Sequence, residues 1–447
     1  MTAPPSAGSV LALPEFRALL VARLANSLAV TALATVVAFQ TYELTGDPLA
    51  LGLLGLVEAI PALGLMLLGG HVADRRDRRS IVLATSAALV VGALVLAVMA
   101  LDPTRLGLAG ILAVVFSLGL ASGFERPALS AFEAQVIPIE HAATGASWTG
   151  SVWTGGAIVG PVMGGLAIAM VGIPATYLAL AAILALSTGC VLLIGRKPAP
   201  EPVAGEGMIA SLTSGVRYVV RHQVLLGSMA LDLFAVFFGG AIAMLPVFAS
   251  DILHVGPVGL GVLRTAPSAG ALIAMLVATR LPPQRRAGPV FLGCVAAFGV
   301  SMIVFGLSTL FWVSALALLV SGLTDGVSVV IRSVILRVES PEHMRGRIAS
   351  VNWVFIGASN ELGAFESGVA ATMFGVVPSV VGGGLVTLGV VAVVGALAPQ
   401  LRRLDLERRM VEGPGAVPAR GPGMLAPAAL AADGSEAVAV EVERLAT

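Results

Sequence analysis

The sequence predicts an all-α membrane protein with twelve transmembrane helices in two pseudo-symmetric six-helix lobes. Three observations carry that prediction. The 447 residues are 57% apolar and only 12% charged, whereas a soluble domain carries about 25% charged residues. Twelve hydrophobic segments follow one another, each near the ~20 residues that a spanning helix needs. The second half of the chain repeats the first.

The twelve segments run over 17–41, 49–72, 80–101, 106–126, 146–169, 174–195, 224–250, 258–280, 288–308, 310–333, 350–373 and 377–399. They divide the chain into an N-terminal tail (1–16), an N-terminal lobe (17–195), an inter-lobe linker (196–222), a C-terminal lobe (223–400) and a tail (401–447). The linker opens Pro-rich and then reads as a short amphipathic helix through Tyr218. The tail beyond Arg409 is rich in Gly, Pro and Ala and is expected to be largely disordered.

Charge fixes an expected orientation. Arg75, Arg76, Arg78 and Arg79 fall in one set of loops with Arg196, Lys197, Arg217 and Arg221. Arg280, Arg285, Arg286, Arg337, Arg345, Arg347 and the pairs Arg402-Arg403 and Arg408-Arg409 join them, while the opposite loops hold only Arg105. Basic short loops stay cytoplasmic, so both termini are expected in the cytoplasm. The opposite loops, such as Thr45 to Pro48 and Gly172 to Pro174, have turn chemistry and little else. The first ten residues lack a basic n-region, so no signal peptide is expected.

Composition excludes other classes. Net charge is zero, which is no basic signature for nucleic acid. Cys190 and Cys294 both fall in spans, too few for a disulfide framework or a zinc site. The five histidines, His71, His141, His222, His254 and His343, fall near span ends or in loops, where solvation explains them. No phosphate-binding Gly-x-x-x-x-Gly-Lys-Ser/Thr loop is present, so energy from ATP is not expected.

The repeat shows in two registers. At an offset of 206 residues Gly55 meets Gly261, Pro61 meets Pro267, Gly64 meets Gly270 and Arg126 meets Arg332. In the same register Glu58 meets Arg264 and Asn26 meets Asp232. Beyond the fourth span the offset becomes 203, pairing Pro138 with Pro341, Gly160 with Gly363 and Gly165 with Gly368. Each half has an even number of spans, so the halves share one orientation about an axis along the membrane normal. That arrangement points to a two-lobed transporter with substrate between the halves.

Two motifs then carry a family resemblance. Gly70-x-x-x-Asp74-Arg75-x-Asp77-Arg78-Arg79 resembles the signature between spans 2 and 3 of the major facilitator superfamily, with Asp77 where glycine is usual. Gly156-x-x-x-Gly160-Pro161-x-x-Gly164-Gly165 resembles the antiporter motif of the same superfamily. The resemblance covers about residues 15–405. The stretches from Asp325 to Arg332, Pro341 to Arg347 and Asn360 to Gly368 resemble the enterobactin-exporter-like group. The resemblance implies the major facilitator fold, proton-coupled efflux of siderophores or drugs, and a cavity lined by spans 1, 4, 7 and 10.

Physical chemistry assigns roles beside that resemblance. Asp74 ends span 2 at a helix C-terminus, where a carboxylate opposes the dipole and wants a cation such as Arg78 or Arg79. A clasp there would bias two access states, although topogenic charge alone would also place the arginines. Gly156, Gly160 and Gly164 make one smooth face for close packing, and Pro161 permits a bend. The resemblance sets that face against the opposite lobe.

Ionisable residues within spans are functional candidates. They are Arg23, Glu58, Asp232, Arg264, Asp325, Glu361 and Glu366, with Arg126 and Arg332 near the inner ends. The proton and substrate set is Asn26, Glu58, Arg126, Asp232, Arg264, Asp325, Arg332 and Glu361, with Glu361 favoured over Glu366, which lies on another helical face. Asp325 and Arg332 are two turns apart and form a possible structural pair, while Glu58 and Arg264 face each other as either a gate or a static pair. The expected protein is a proton-driven inner-membrane exporter of a small amphipathic molecule. It is expected to be a monomer in lipid, with no cofactor, nucleic acid or obligatory protein partner. An uncoupled importer or uniporter is the first rival, and a non-transporting scaffold is the remote one.

Overall fold

The structure, a computed structural model, describes residues 10–412 apart from 74, 103–106, 199–207, 240 and 282–284. Asp74, Arg105 and the tail beyond residue 412 therefore lie outside the described residues, as do residues 1–9 and the Pro-rich start of the linker.

Among the described residues every regular element is helical. The N-terminal half comprises α1 (Pro14–Thr45), α2 (Pro48–Ala73), α3 (Arg78–Leu101) and α4 (Gly107–Val136). A continuous run, Ala142–Leu192, follows and turns at Gly172, giving α5 (142–171) and α6 (173–192). Gly172 adopts φ 78°, ψ 170°, a conformation that only glycine takes readily, and Pro174 then restarts the helix. The linker holds α7 (Met208–Arg221). The second half comprises α8 (Gln223–Phe238), α9 (Gly256–Arg280), α10 (Ala287–Leu307), α11 (Phe311–Glu339), α12 (Arg345–Phe374) and α13 (Val376–Leu397).

Local chemistry sets the ends. Pro14 opens α1, and Gly46 at φ 60° closes it by donating its N–H to the Tyr42 carbonyl. Asp77 caps α3, accepting from the Arg79 N–H at 3.2 Å and the Ser80 hydroxyl at 2.6 Å. The acidic departure from the usual glycine at this position thus has a structural use.

Ten described helices are long and apolar enough to cross a membrane. Two features separate that number from the twelve expected passes. The run Ile139–Leu192 counts once although it folds back at Gly172. Helix α12 spans 30 residues but carries Arg345, Arg347, Asn360, Glu361 and Glu366, too polar to count by composition. Several helices also outrun their hydrophobic segments: α4 continues past residue 126 to Val136, and α11 to Glu339. Hydropathy reads the thickness of hydrocarbon, whereas backbone hydrogen bonding continues into the aqueous boundary. The seventh segment, continuous in hydropathy, breaks instead. After α8 come a 3-10 turn at Ala241–Met244, a single turn at Leu245–Val247 and a π-helical turn at Phe248–Ile252. Pro246 has no N–H to donate, which loosens the ladder at that point.

Within the N-terminal half α1 packs along the α5–α6 run and α2 on α4. In the second half α9 packs on α11, and α10 on α11 and α13. The halves meet where α2 lies on α12 and α5 on α9. Glycines fix the register of the repeat: Gly119 of α4 packs on Pro61 of α2, as Gly322 of α11 packs on Pro267 of α9. Pro61 and Pro267 are 206 apart, but Gly119 and Gly322 are 203 apart. The change of register therefore lies between Pro61 and Gly119, ahead of the packed part of the fourth span. Ser122 and Asp325 are equivalents, and the apparent match of Arg126 with Arg332 is three residues out.

The core is divided unevenly. At the short-loop end one cluster draws on both halves, through Tyr42, Leu51, Phe248 and Phe305. At the arginine-rich end each half has its own: Phe16, Phe132 and Ile194 in one, Leu225, Phe291 and Leu401 in the other. The lobes are joined at one end and packed separately at the other.

Candidate functional site

Between the lobes at mid-height lies a cavity of about 370 Å3. Its walls are mostly Val, Leu and Ala side chains, and its polar groups are few. Glu58 enters from α2, Arg264 from α9, Asp325 from α11, and Asn360 and Glu361 from α12. Ser122 of α4 and its repeat equivalent Asp325 face the cavity from opposite lobes. Spans 1, 4, 7 and 10 do line it, but three of the four charged groups come from spans 2, 8 and 11.

The charges are placed by close packing of the lobes. Gly55 sits against Ala364, and a Cβ there would lie 3.5 Å from the Glu361 carboxylate, one turn along α2 from Glu58. Arg264 donates from Nη1 to the Ala34 carbonyl of α1 at 3.2 Å, and Thr265 donates to the Ile158 carbonyl of α5 at 2.7 Å. Both bonds cross the lobe boundary. Glu58 lies in the fields of Arg264 and Arg126, and Glu361 in those of Glu58, Arg126 and Arg264. Arg126 itself is exposed on α4, one turn beyond Ser122. The predicted meeting of Glu58 and Arg264 at the interface is thus a cluster that also includes Glu361.

Asp232 and Arg332 sit elsewhere. They form an ion pair between α8 and α11, each side chain 8% exposed. Asp232 lines only a small adjoining pocket, which it shares with Asp325, Cys294 and Phe298. Arg332 therefore pairs with Asp232, not with Asp325: seven residues on one helix align two Cα positions, but the neighbouring helix offers a nearer carboxylate. In the N-terminal lobe Asn26 of α1 donates to Glu125 of α4 at 3.3 Å, and Arg23 pairs with Glu133 at 2.7 Å. Arg23 also lies over the Trp153 ring, 5.6 Å from its centroid. Glu125 and Glu133 escape a reading that stops the fourth span near residue 126. Glu125 and Glu133 lie eight residues apart on a helix that runs on to Val136, and two acids at that spacing are the signal in the sequence.

The glycine motif of α5 divides its work. Cβ atoms on Gly156, Gly160 and Gly164 would strike Ser27, Thr31 and Ala32 of α1, in the same lobe. Of the four glycines only Gly165 meets the other lobe, abutting the Pro257 carbonyl; between them the Ile158 and Pro161 carbonyls also face α9, with Gly261 2.6 Å (Cβ position) from the latter. The expectation that the whole smooth face meets the opposite lobe is thus corrected, because α1 occupies it. In the first motif, Gly70 has open space around it while Gly69 packs on the Gly123 carbonyl. Arg78 donates to the Ala73 and Ala131 carbonyls at 3.2 and 3.4 Å, and Arg79 to the Leu192 carbonyl at 2.9 Å. These arginines tie α3 to α2, α4 and α6, while Arg75 is exposed.

At the short-loop end Tyr42 of α1 donates to Asp251 of the π-helical turn at 2.5 Å, across the lobes. Gly52 of α2 and Gly368 of α12 also meet there, a Cβ on either lying about 3 Å or less from the other's Cα.

Known proteins share this architecture. Solved structures of a POT family transporter bound to 5-aminolevulinic acid and of the nucleoside transporter NupG match with TM-scores of 0.70 and 0.67, each at 13% identity. They cover 86% and 87% of this chain, and 96% and 100% of their own. The enterobactin exporter EntS of Citrobacter koseri is 27% identical over 403 residues, 87% of this chain and 93% of that protein. EntS of Shigella flexneri is 27% identical over 391 residues, 84% and 90% of the two chains. The family model for the Major Facilitator Superfamily matches residues 19–364. The chain belongs to the Major Facilitator Superfamily and is a multi-pass membrane transporter, not an enzyme.

Proposed function

We propose that this transporter exports a small amphipathic molecule, of the siderophore or drug class, in exchange for protons. The observation that carries the reading is the convergence of Glu58, Glu361 and Asp325 with the single guanidinium of Arg264 in one inter-lobe cavity. Aliphatic walls do not sustain three carboxylates and one guanidinium at full charge. The surplus is met by a proton or by a polar group of the substrate, and exchange between the two is the coupling. Asp325 and Glu361 are the residues on which the proton is placed. Gly70, Asp74, Arg75, Arg78 and Arg79 serve the gate at the arginine-rich end.

The division of the core supports the cycle. Lobes that share a cluster at one end and keep separate clusters at the other rock about the cavity between them. With the arginine-rich loops cytoplasmic, the present arrangement is closed to the outside. The plasma membrane is the site of action, both termini are cytoplasmic, and the monomer works without a cofactor on the proton gradient. Relatives named as enterobactin exporters favour efflux and the siderophore class.

The test is transport by the full chain in proteoliposomes under an imposed pH gradient, with catechol siderophores and lipophilic drugs as substrates. Substrate moves against its gradient only when protons flow the other way. Transport that ignores the proton gradient overturns the coupling and leaves the uncoupled importer or uniporter.

A further inference from the structure

The linker helix α7 builds a second cavity, of about 430 Å3, at the arginine-rich end. Its walls are Ser214, Arg217, Tyr218, Arg221, His222 and Met344. One face of α7 is packed down: Val219 is buried, and a Cβ on Gly215 would lie 3.0 Å from the Arg347 carbonyl of α12. Arg347 also donates to the Ser214 hydroxyl at 3.2 Å. The other face presents Arg217 and Arg221, one turn apart and exposed. Neither has an ion pair or hydrogen bond among the described residues.

The nearby carboxylate of Glu339 is already taken by other groups. His222 stacks on Tyr218 and contacts Glu339 at 3.3 Å, and Arg409 meets the same carboxylate at 3.6 Å. Among the described residues, two guanidiniums therefore line the cavity with no carboxylate paired to them. Beside them Val216 and Val220 are 42% and 57% exposed, each one residue before an arginine. An apolar stripe along a basic stripe is the pattern of a helix lying in a membrane interface.

We propose that this cavity binds the phosphate headgroup of an anionic phospholipid from the leaflet at the arginine-rich end. Paired guanidiniums offer forked donors that match phosphate oxygens. The exposed valines suit the acyl chains that come with a lipid phosphate and not with a free one. Topology alone asks for basic residues but not for an open cavity. Arg285, on the same end, answers that requirement differently, pairing with Glu407 at 3.3 Å.

The test places the full chain in nanodiscs of phosphatidylcholine with graded phosphatidylglycerol and reads the bound lipid by mass spectrometry after gentle delipidation. Arg217→Gln with Arg221→Gln lowers phosphatidylglycerol affinity by about 30-fold, the weight of two arginines at an anionic surface. Arg285→Gln with Arg286→Gln leaves it near the parent value. Arg217→Lys with Arg221→Lys, which keeps the charge and the topology, also weakens binding because lysine lacks the fork. Equal loss in the two glutamine pairs, or full retention by the lysine pair, overturns the proposal. So does displacement of the lipid by millimolar inorganic phosphate, which would assign the site to a free anion.

Discussion

Asp232 and Arg332 form a buried ion pair between α8 and α11, where the other lobe joins α1 to α4 through Asn26 and Glu125. The two lobes keep one bridge between corresponding helices but build it from different groups. In the first lobe a neutral amide meets a carboxylate; in the second a carboxylate meets a guanidinium. Asp232 thus has a partner that holds it within its own lobe, and Asp325, its neighbour across the small pocket, is the acid left to face the cavity.

Removing one member of the pair should cost more than removing both. Asp232→Asn strands the buried Arg332 charge and is expected to destabilise the protein by about 3–5 kcal/mol. The double change Asp232→Leu with Arg332→Met recovers much of that loss. Thermal unfolding in detergent checks both, and an additive double variant would refute the pairing argument.

Neutralising the cavity acids should separate coupling from binding. Asp325→Asn and Glu361→Gln are expected to abolish accumulation driven by a pH gradient while substrate counterflow continues. Glu58→Gln, which removes a counter-charge of Arg264 at the lobe boundary, is expected to slow counterflow as well. Parallel counterflow and gradient-driven assays in proteoliposomes distinguish the two patterns.

Tyr42→Phe removes a hydroxyl donor to Asp251 across the closed end. A hydrogen bond to a charged group contributes about 1.5–3 kcal/mol, so the closed population should fall by roughly 10- to 100-fold relative to the open one. Spin labels on the two lobes at the short-loop end report the change as a longer distance distribution. An unchanged distribution would show that the apolar cluster alone holds that end shut.

Two glycines of one motif should fail in different ways. Gly160→Val drives a side chain into Thr31 of α1 and is expected to lower yield and unfolding temperature. Gly165→Val strikes Pro257 of the opposite lobe, so the fold survives but closure at the short-loop end is blocked. Unfolding temperature and cysteine accessibility from the short-loop side, measured on both variants, separate these effects.

Much of the site was visible in the residues because an ion in a hydrophobic run is rare and conspicuous. Glu58, Arg264, Asp325 and Glu361 stand out for that reason, and all four reach one cavity. What the run of residues hides is the partner. Arg332 is equally far along the helix from Asp325 in any reading, yet it bonds to a carboxylate 100 residues earlier in the chain. Glu125 and Glu133 are concealed differently, since the hydropathy of α4 fades before its helix ends.

The sequence by itself determined the solvent, the helical class and the two-fold repeat, because hydrocarbon forbids unpaired backbone and uncompensated charge along the whole chain. It also marked the two glycine-bearing motifs as special. Only the tertiary structure decided which faces they serve. Three glycines of α5 take α1 of their own lobe, the fourth takes α9, and the repeat shifts register ahead of Gly119 and not after α4. Those outcomes depend on which backbones come within about 3 Å of each other, a distance set by packing between helices and carried by no single segment.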